Sequence, residues 1–318
     1  ANITIWNGCG RTRKWSKWYE PKRNATAFPP RRPACGNAAM GVKRMPYERQ
    51  FASLYDRLMA DAPYAQWIRF ARQCWDVYGK PETVVDLGCG TGNIAIPLAQ
   101  TGLNVFGVDL SENMLAIAAG KTEQLRRNSA FVPGGSVVWL NQDMREWDVG
   151  RTVDSVISFC DSLNYLTEED DIARTFRRTF ERLRPGGTFL FDVHTPNQVR
   201  AYARLQPFVM REEDIAYIWT CELDEDRCEI EHGLSIFVKA DSGYADGLAS
   251  KTGPAGAYGR FPAYLRVDEV HVQRAYELGW LGDKLREAGF ADVECFADFS
   301  QKPPNADTER AFFVAAKR

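Results

Sequence analysis

The chain has 318 residues, 45% apolar and 26% charged, which is ordinary for a globular protein and enough to bury a sizeable core without disulfides or metal. Its apolar runs are too short for a membrane span and no charged-then-apolar leader opens it, so a soluble, cytoplasmic protein is expected and a membrane protein is excluded. The net charge of −2 hides an asymmetry: residues 1–45 carry ten Lys or Arg against one acid, leaving −11 for the rest, and an acidic body suits a small-molecule partner better than nucleic acid.

In chain order, residues 1–44 lack a hydrophobic period and are rich in Pro, Gly and Arg, which predicts a disordered basic tail. It reads as dispensable, or as sequence upstream of a natural start at Met45, with an RNA- or partner-binding arm as the alternative. Residues 47–78 show helical spacing of apolar side chains, split by Pro63 into two helices. Short apolar strands and amphipathic helices then alternate: strand 83–87, helix 93–100, strand 105–108, helix 112–127 with Ser111 as N-cap, strand 136–140, strand 155–159, helix 168–183 and strand 188–193. This order predicts βαβ crossovers and a doubly wound α/β fold with helices on both faces of the sheet. After residue 193 the pattern becomes β-rich, with strands at 215–223, 228–238 and 266–274, a turn at 224–227 and a loop rich in Gly, Ala and Ser at 241–259. Helix 278–288, ended by Gly289, and strands 292–299 and 310–316 complete the α/β pattern. The expected division is a tail (1–44), one domain from 45–197 and 276–318 that begins with lid helices (45–78), and a β-rich insert (198–275). Eight cysteines form no C-x-x-C pair and only three histidines are present, so reduced structural thiols and no metal site are expected.

The informative motif is the strand-turn-helix sequence Asp86-Leu87-Gly88-Cys89-Gly90-Thr91-Gly92-Asn93. Its glycines permit positive φ and close approach of a ligand to the backbone. A dinucleotide fingerprint needs its third glycine three places after the second, and here that place holds Asn93. A carboxylate two places before Gly88 repels a pyrophosphate but suits the ammonium and sulfonium charges of S-adenosylmethionine (SAM). Asp109 ends the second strand, about twenty residues past the turn, where an acid accepts ribose hydroxyls. Asp143-Met144 ends the third, where an acid can take the adenine amino group and the methionine can cover the ring.

From about residue 47 onward the chain resembles class I SAM-dependent methyltransferases, and more narrowly the YqeM type of Gram-positive bacteria. The resemblance is carried by residues 51–59 (Phe-Ala-Ser-Leu-Tyr-Asp-Arg-Leu-Met), Pro63-Tyr64, residues 86–92, Gln142-Asp143-Met144-Arg145, residues 160–166 (Cys-Asp-Ser-Leu-Asn-Tyr-Leu), Arg184-Pro185-Gly186-Gly187 and Phe191-Asp192-Val193-His194. It implies a Rossmann-like seven-stranded sheet with a β-rich insert after the fifth strand, and SAM as cofactor with S-adenosylhomocysteine (SAH) as product. The cofactor-binding set expected on this basis is Tyr55, Asp86, Leu87, Gly88, Cys89, Gly90, Asp109, Leu110, Met114, Gln142, Asp143, Met144 and Cys160. In look-alikes the helix carrying Tyr55 folds over the cofactor as a lid; core packing is the plainer reading of its spacing.

Methyl transfer from a sulfonium is an in-line displacement, so a fixed base is needed only if the acceptor arrives protonated. By position, Asp161 and Asn164 after the fourth strand and His194 after the fifth are the expected catalytic residues, with His194 as the base. Tyr217, Trp219, His232, Phe237 and His271 are either walls of an acceptor pocket or packing. The expected reaction is methylation of an N or O atom of a small molecule. RNA or protein methylation, a SAM-binding module without turnover and a nicotinamide oxidoreductase are the rivals, the last disfavoured by Asp86 and Asn93. Monomer and homodimer are both left open.

Overall fold

The computed structural model describes residues 49–128, 130–240 and 263–318. The basic tail and the 241–259 loop of the sequence reading lie outside the described residues. Two helices lead, α1 (Arg49–Leu58) and α2 (Tyr64–Tyr78), with Pro63 at the N-cap of the second. Then follow β1 (Thr83–Leu87), α3 (Ala95–Ala99), β2 (Asn104–Asp109), α4 (Glu112–Arg127), β3 (Ser136–Asn141), β4 (Val153–Ser158), a 3₁₀ turn (Ser162–Tyr165), α5 (Glu169–Arg182) and β5 (Leu183–His194). The Ser111 side chain accepts the Met114 N–H and caps α4, whose first turn holds Glu112 and last turn Arg126 and Arg127, as the helix dipole favours.

The main sheet has seven strands in the order β10-β11-β5-β4-β1-β2-β3, where β10 is Asp292–Ala297 and β11 is Arg310–Ala316. The strands from β1 to β5 are parallel, and β11 runs antiparallel to both of its neighbours. Strand side chains alternate between two cores, as a pleat requires. Phe189, Phe191 and Phe313 face α5 and α7 (Leu278–Ala288), and Leu190, Phe312 and Val314 face Trp67, Phe70 and Trp75 of α2. The order reverses between β1 and β4, so the carboxyl ends of β1, β2, β4 and β5 converge on one crevice, the usual ligand position in such sheets.

Between β5 and α7 the chain builds a second, antiparallel sheet, β6 (Phe208–Arg211), β7 (Ile215–Asp224), β8 (Glu229–Lys239) and β9 (Tyr264–Arg274). The turn expected at 224–227 follows β7. A helix not expected from sequence precedes this sheet: α6 (Pro196–Leu205), with Thr195 accepting the Gln198 N–H and Pro196 in the first turn. The second sheet's inner face packs on α1 and α4 through Phe51, Ala52, Met114, Ile215, Ile236 and Val267, and on α6 through Val199, Tyr202, Phe208, Cys221 and Ile230. No helix among the described residues is long and apolar enough to cross a membrane.

One contact sets the height of the glycine loop. A Cβ on Gly107 of β2 would lie 2.3 Å from the Trp139 ring, and one on Gly92 would lie 2.6 Å from it. Trp139, whose Nε1 donates to Thr122 Oγ1 (3.3 Å), is therefore the backing on which the loop rests. Gly107→Ala is expected to lower stability by about 1–3 kcal/mol through overpacking. An unchanged urea midpoint in that variant would show that the ring is free to move aside.

Candidate cofactor and acceptor site

The cradle is built from the tips of β1 and β2. Gly88, Gly90 and Gly92 have φ of +72°, +52° and +80°, and the Gly88 and Cys89 N–H groups both donate to Val108 O (2.8 and 3.1 Å). Asp109 braces the turn from below, its Oδ2 accepting the Gly90 N–H and its Oδ1 the Ser111 N–H, each at 2.8 Å. A Cβ on Gly88 would lie 2.7 Å from Ser162 Cβ, so this position is closed to side chains, whereas a Cβ on Gly90 would meet nothing within 4 Å among the described residues. The space over Gly90 suits a ligand that approaches the backbone.

The charges are unusual. Asp86 is only 3% exposed, and its Oδ2 has no hydrogen-bond partner. Burial and then the neighbouring Asp109 push its carboxyl up to about 8. Asp109 is raised too, by burial, against the pull of its backbone donors at Ser111 and Gly90. Among the described residues, no basic side chain contributes to either shift. An orphaned carboxylate oxygen and open space over a glycine fit a cationic nucleoside such as SAM. Met144 lies over this region, its Cε 3.5 Å from the Gly88 Cβ position; Leu110 is half exposed at the rim, and Met114 is buried instead among Phe51, Ala52 and Ile215.

Several expected cofactor residues are turned elsewhere. The Leu87 side chain is wholly within the core, which leaves only its backbone for a ligand. Cys89 is buried, its thiol raised by burial and then by Asp109 and Asp86. Gln142 spends both ends of its amide on the backbone of Asp148 (3.1 and 2.8 Å), closing its own loop. Asp143 has both oxygens gripped by Arg145, which continues to Asp171 at 2.8 Å, so the expected role at the adenine amino group meets a competing ion pair.

Beyond β4, Cys160 (φ +59°) and Asp161 (φ +51°) both adopt the left-handed conformation, which costs free energy outside glycine. Asp192 of β5 holds them there, accepting the N–H groups of Cys160 (2.8 Å) and Asp161 (3.2 Å) along with Trp67 Nε1 (3.0 Å). Arg310 of β11, buried over the Trp67 ring, pairs with Asp192 and donates to Asp161 Oδ1 at 2.8 Å. Gln273 of β9 donates to Asp161 Oδ2 (2.8 Å). Burial alone would raise Asp161, but the Arg310 guanidinium and the Gln273 amide hold it below the usual carboxylate range. Asp161 is thus a fixed, ionised group at the sheet edge.

His194 and Asn164 are placed differently from the sequence expectation. His194 Nε2 lies 2.7 Å from Arg310 Nη2, and because a guanidinium only donates, that nitrogen is an acceptor and the ring is neutral. Burial pushes the imidazole down to about 3, so it cannot hold a proton taken from an acceptor at neutral pH. Asn164, 1% exposed, ties backbone to backbone: its Oδ1 accepts the His194 N–H (2.9 Å), and its Nδ2 donates to His194 O (3.2 Å) and Arg274 O (2.9 Å). Both residues hold the rim together, which corrects the catalytic reading.

The remaining walls come from α1 and the second sheet. Tyr55 lies among Tyr64, Cys160 and Tyr165, with burial raising its phenol well above the ordinary value. The Phe51 ring stands 5.3 Å from His271, whose Nδ1 is 3.3 Å from the Tyr165 hydroxyl. Trp219 instead packs with Phe208 and Tyr202 and donates to His232 Nδ1 (3.0 Å), Tyr217 joins the apolar packing, and Phe237 alternates to the face opposite Ile236. Sequence reasoning gave no role to Trp67, Asp192, Gln273 or Arg310; the one local signal was a charged residue, Asp192, inside the apolar run of β5.

The raised Asp86 carboxyl makes a signed stability claim. Between its ordinary value of 3.8 and about 8 the native state holds a proton that the unfolded chain has lost, so this group's contribution to stability falls as pH rises through that window. The melting temperature of unliganded Asp86→Asn should exceed that of wild type by more at about pH 8 than at about pH 5. A gap that does not change with pH would contradict the assignment.

Comparison with known proteins agrees with this geometry. Residues 84–187 match the family described as Methyltransferase domain. A methyltransferase-named protein of Geobacillus sp. (strain WCH70) is 39% identical over 275 residues, spanning 86% of this chain and 100% of the relative. YqeM of Bacillus subtilis (strain 168), also named as a methyltransferase, is 36% identical over 268 residues, 84% of this chain and 96% of its own. Among solved structures, a SAM-dependent methyltransferase from Clostridium acetobutylicum shares the fold at TM-score 0.69 and 24% identity, over 84% of this chain and 98% of that one. The sugar N-methyltransferase KedS8 from Streptoalloteichus sp. shares it at TM-score 0.63 and 18% identity, over 90% and 99%. With SAM as its cofactor, the chain belongs to the class I SAM-dependent methyltransferases of the YqeM type.

Proposed function

We propose that the chain methylates a nitrogen or oxygen atom of a small molecule seated between the glycine loop and the second sheet. The observation that carries this reading is a polar rim in which Gln273 and His271 of β9, both buried, pair with Asp161 and Tyr165 just beyond β4, in the same turn as Ser162, whose hydroxyl donates to the Gly88 carbonyl of the cofactor loop (3.4 Å). Asp86 and Asp109 are the residues proposed to hold SAM, through its cationic part and its ribose. When bound, SAM supplies a methyl group already activated on sulfonium. The fold is shared with a sugar N-methyltransferase, which supports a small amine among the acceptors.

The side chains of the edge position and do not deprotonate. His194 is pushed down to about 3, and His232 and His271 to about 4, each by burial first. Asp161 is a weak base because its neighbours stabilise the ionised form. The acceptor must therefore arrive already deprotonated, as a free amine or an oxyanion; a methylated amine gives its extra proton to solvent, and acceleration comes from alignment and exclusion of water. The test uses the full chain with methyl-labelled SAM against a metabolite extract and a separate RNA fraction. Label and SAH are expected from the small-molecule fraction, with kcat/KM rising with pH along the acceptor's own free-base fraction. Label confined to RNA, or a profile that follows an enzyme group lost in His194→Ala, would contradict the reading.

A further inference from the structure

Adjacent residues fasten α1 to two different parts of the molecule. Asp56 reaches the cofactor loop: its Oδ1 accepts from Thr91 Oγ1 (2.5 Å) and Asn93 Nδ2 (2.9 Å), and its Oδ2 accepts from Lys121 Nζ (2.8 Å) of α4. Lys121 also donates to Asn93 Oδ1 (2.7 Å), so the side chains of Asp56, Asn93 and Lys121 close a ring, with Thr91 held to the same carboxylate. Arg57 turns the other way and pairs with Asp214, just before β7. Burial alone would raise Asp56, but the hydrogen bonds from Lys121, Thr91 and Asn93 outweigh it and keep the group charged.

A lone exposed ion pair contributes little. Here one carboxylate takes three donors, two of them from the run 91–93 that directly follows the Gly88 and Gly90 turn. This also gives Asn93 a positive use: the residue that excludes a dinucleotide fingerprint is the one that grips the lid. The far side of α1 brings Phe51 against His271 and places Tyr55 beside Tyr165 and Cys160. The helix is therefore a wall of the proposed acceptor site whose only charged link to the cofactor loop, among the described residues, runs through Asp56.

We propose that Asp56 is a positioning residue that locks α1 onto the cofactor loop, so that the wall carrying Phe51 and Tyr55 is set only when that loop is set. The proposal rests on the assignment of that loop to SAM. It is tested on the full chain by amide hydrogen exchange across residues 49–58 and by the dissociation rate of SAH, followed by tryptophan fluorescence, in wild type, Asp56→Ala and Lys121→Met. In wild type, SAH should slow exchange in α1. Asp56→Ala should abolish that slowing while β1, β4 and β5 stay protected, and SAH should leave at least about tenfold faster, as loss of a charged hydrogen bond implies. Lys121→Met should give the same change at α1 to a smaller extent. A folded Asp56→Ala protein with wild-type exchange and dissociation overturns the proposal. If Asp56→Ala also loosens the strands, Lys121→Met decides: faster α1 exchange supports the proposal and unchanged exchange overturns it. Failure of wild-type protein to bind SAH would overturn the loop assignment instead, a result separable from any effect of Asp56.

Discussion

Burying a carboxylate without a counter-charge is unfavourable, and the tips of β1 and β2 do so side by side. Among the described residues, Asp86 keeps one oxygen unpaired, Asp109 relies on backbone N–H donors, and no basic side chain helps either of them. Such an arrangement is stable enough to fold only because the sheet around it is strongly packed, with every residue of β1 buried. On the proposed assignment the ligand supplies the missing cation, and selection of a sulfonium nucleoside over a dinucleotide is then electrostatic before it is steric.

The opposite solution appears one strand away. Asp192 is fully buried and Asp161 mostly so, but Arg310 lies between them and pairs with both. That pairing holds Cys160 and Asp161 in the left-handed turn and takes the His194 lone pair out of use. The two halves of the crevice thus differ in kind: among the described residues one is short of positive charge, as the proposed cofactor seat requires, and the other is internally balanced, as the proposed acceptor seat requires. A methyltransferase whose acceptor arrives as a free nucleophile needs no more than this.

Much of the fold is legible from local pattern. Apolar runs of strand length, the Ser111 cap and the glycine spacing each rest on neighbours within a few residues, and these elements fall where expected. Local pattern over-extends at Asn93, which looks like the start of a helix, whereas α3 begins at Ala95 because the Asn93 side chain is committed to Asp56 and Lys121. It misses α6, although Thr195, Pro196 and Gln198 form a recognisable helix start, because the following β-rich stretch dominates the reading. The polar core of the rim is not readable at all. Trp67 meets Asp192 across 125 residues and Arg310 meets Asp161 across 149, and no spacing rule connects them. His194 shows the consequence: its position after β5 suggests a base, while its burial against Arg310 removes that chemistry.

The central claim is that Asp86 waits for a cation, and proton release on binding measures this directly. Burial and the neighbouring Asp109 push the carboxyl up to about 8, so the unliganded protein at pH 7 holds a proton on Asp86. Titrating SAM by calorimetry at pH 7 in phosphate and in Tris, which differ widely in ionisation enthalpy, should show net proton release on binding, and markedly less for Asp86→Asn. Equal heats in the two buffers for wild-type protein would mean that no buried acid is discharged by the ligand, and the account of the cradle would fail.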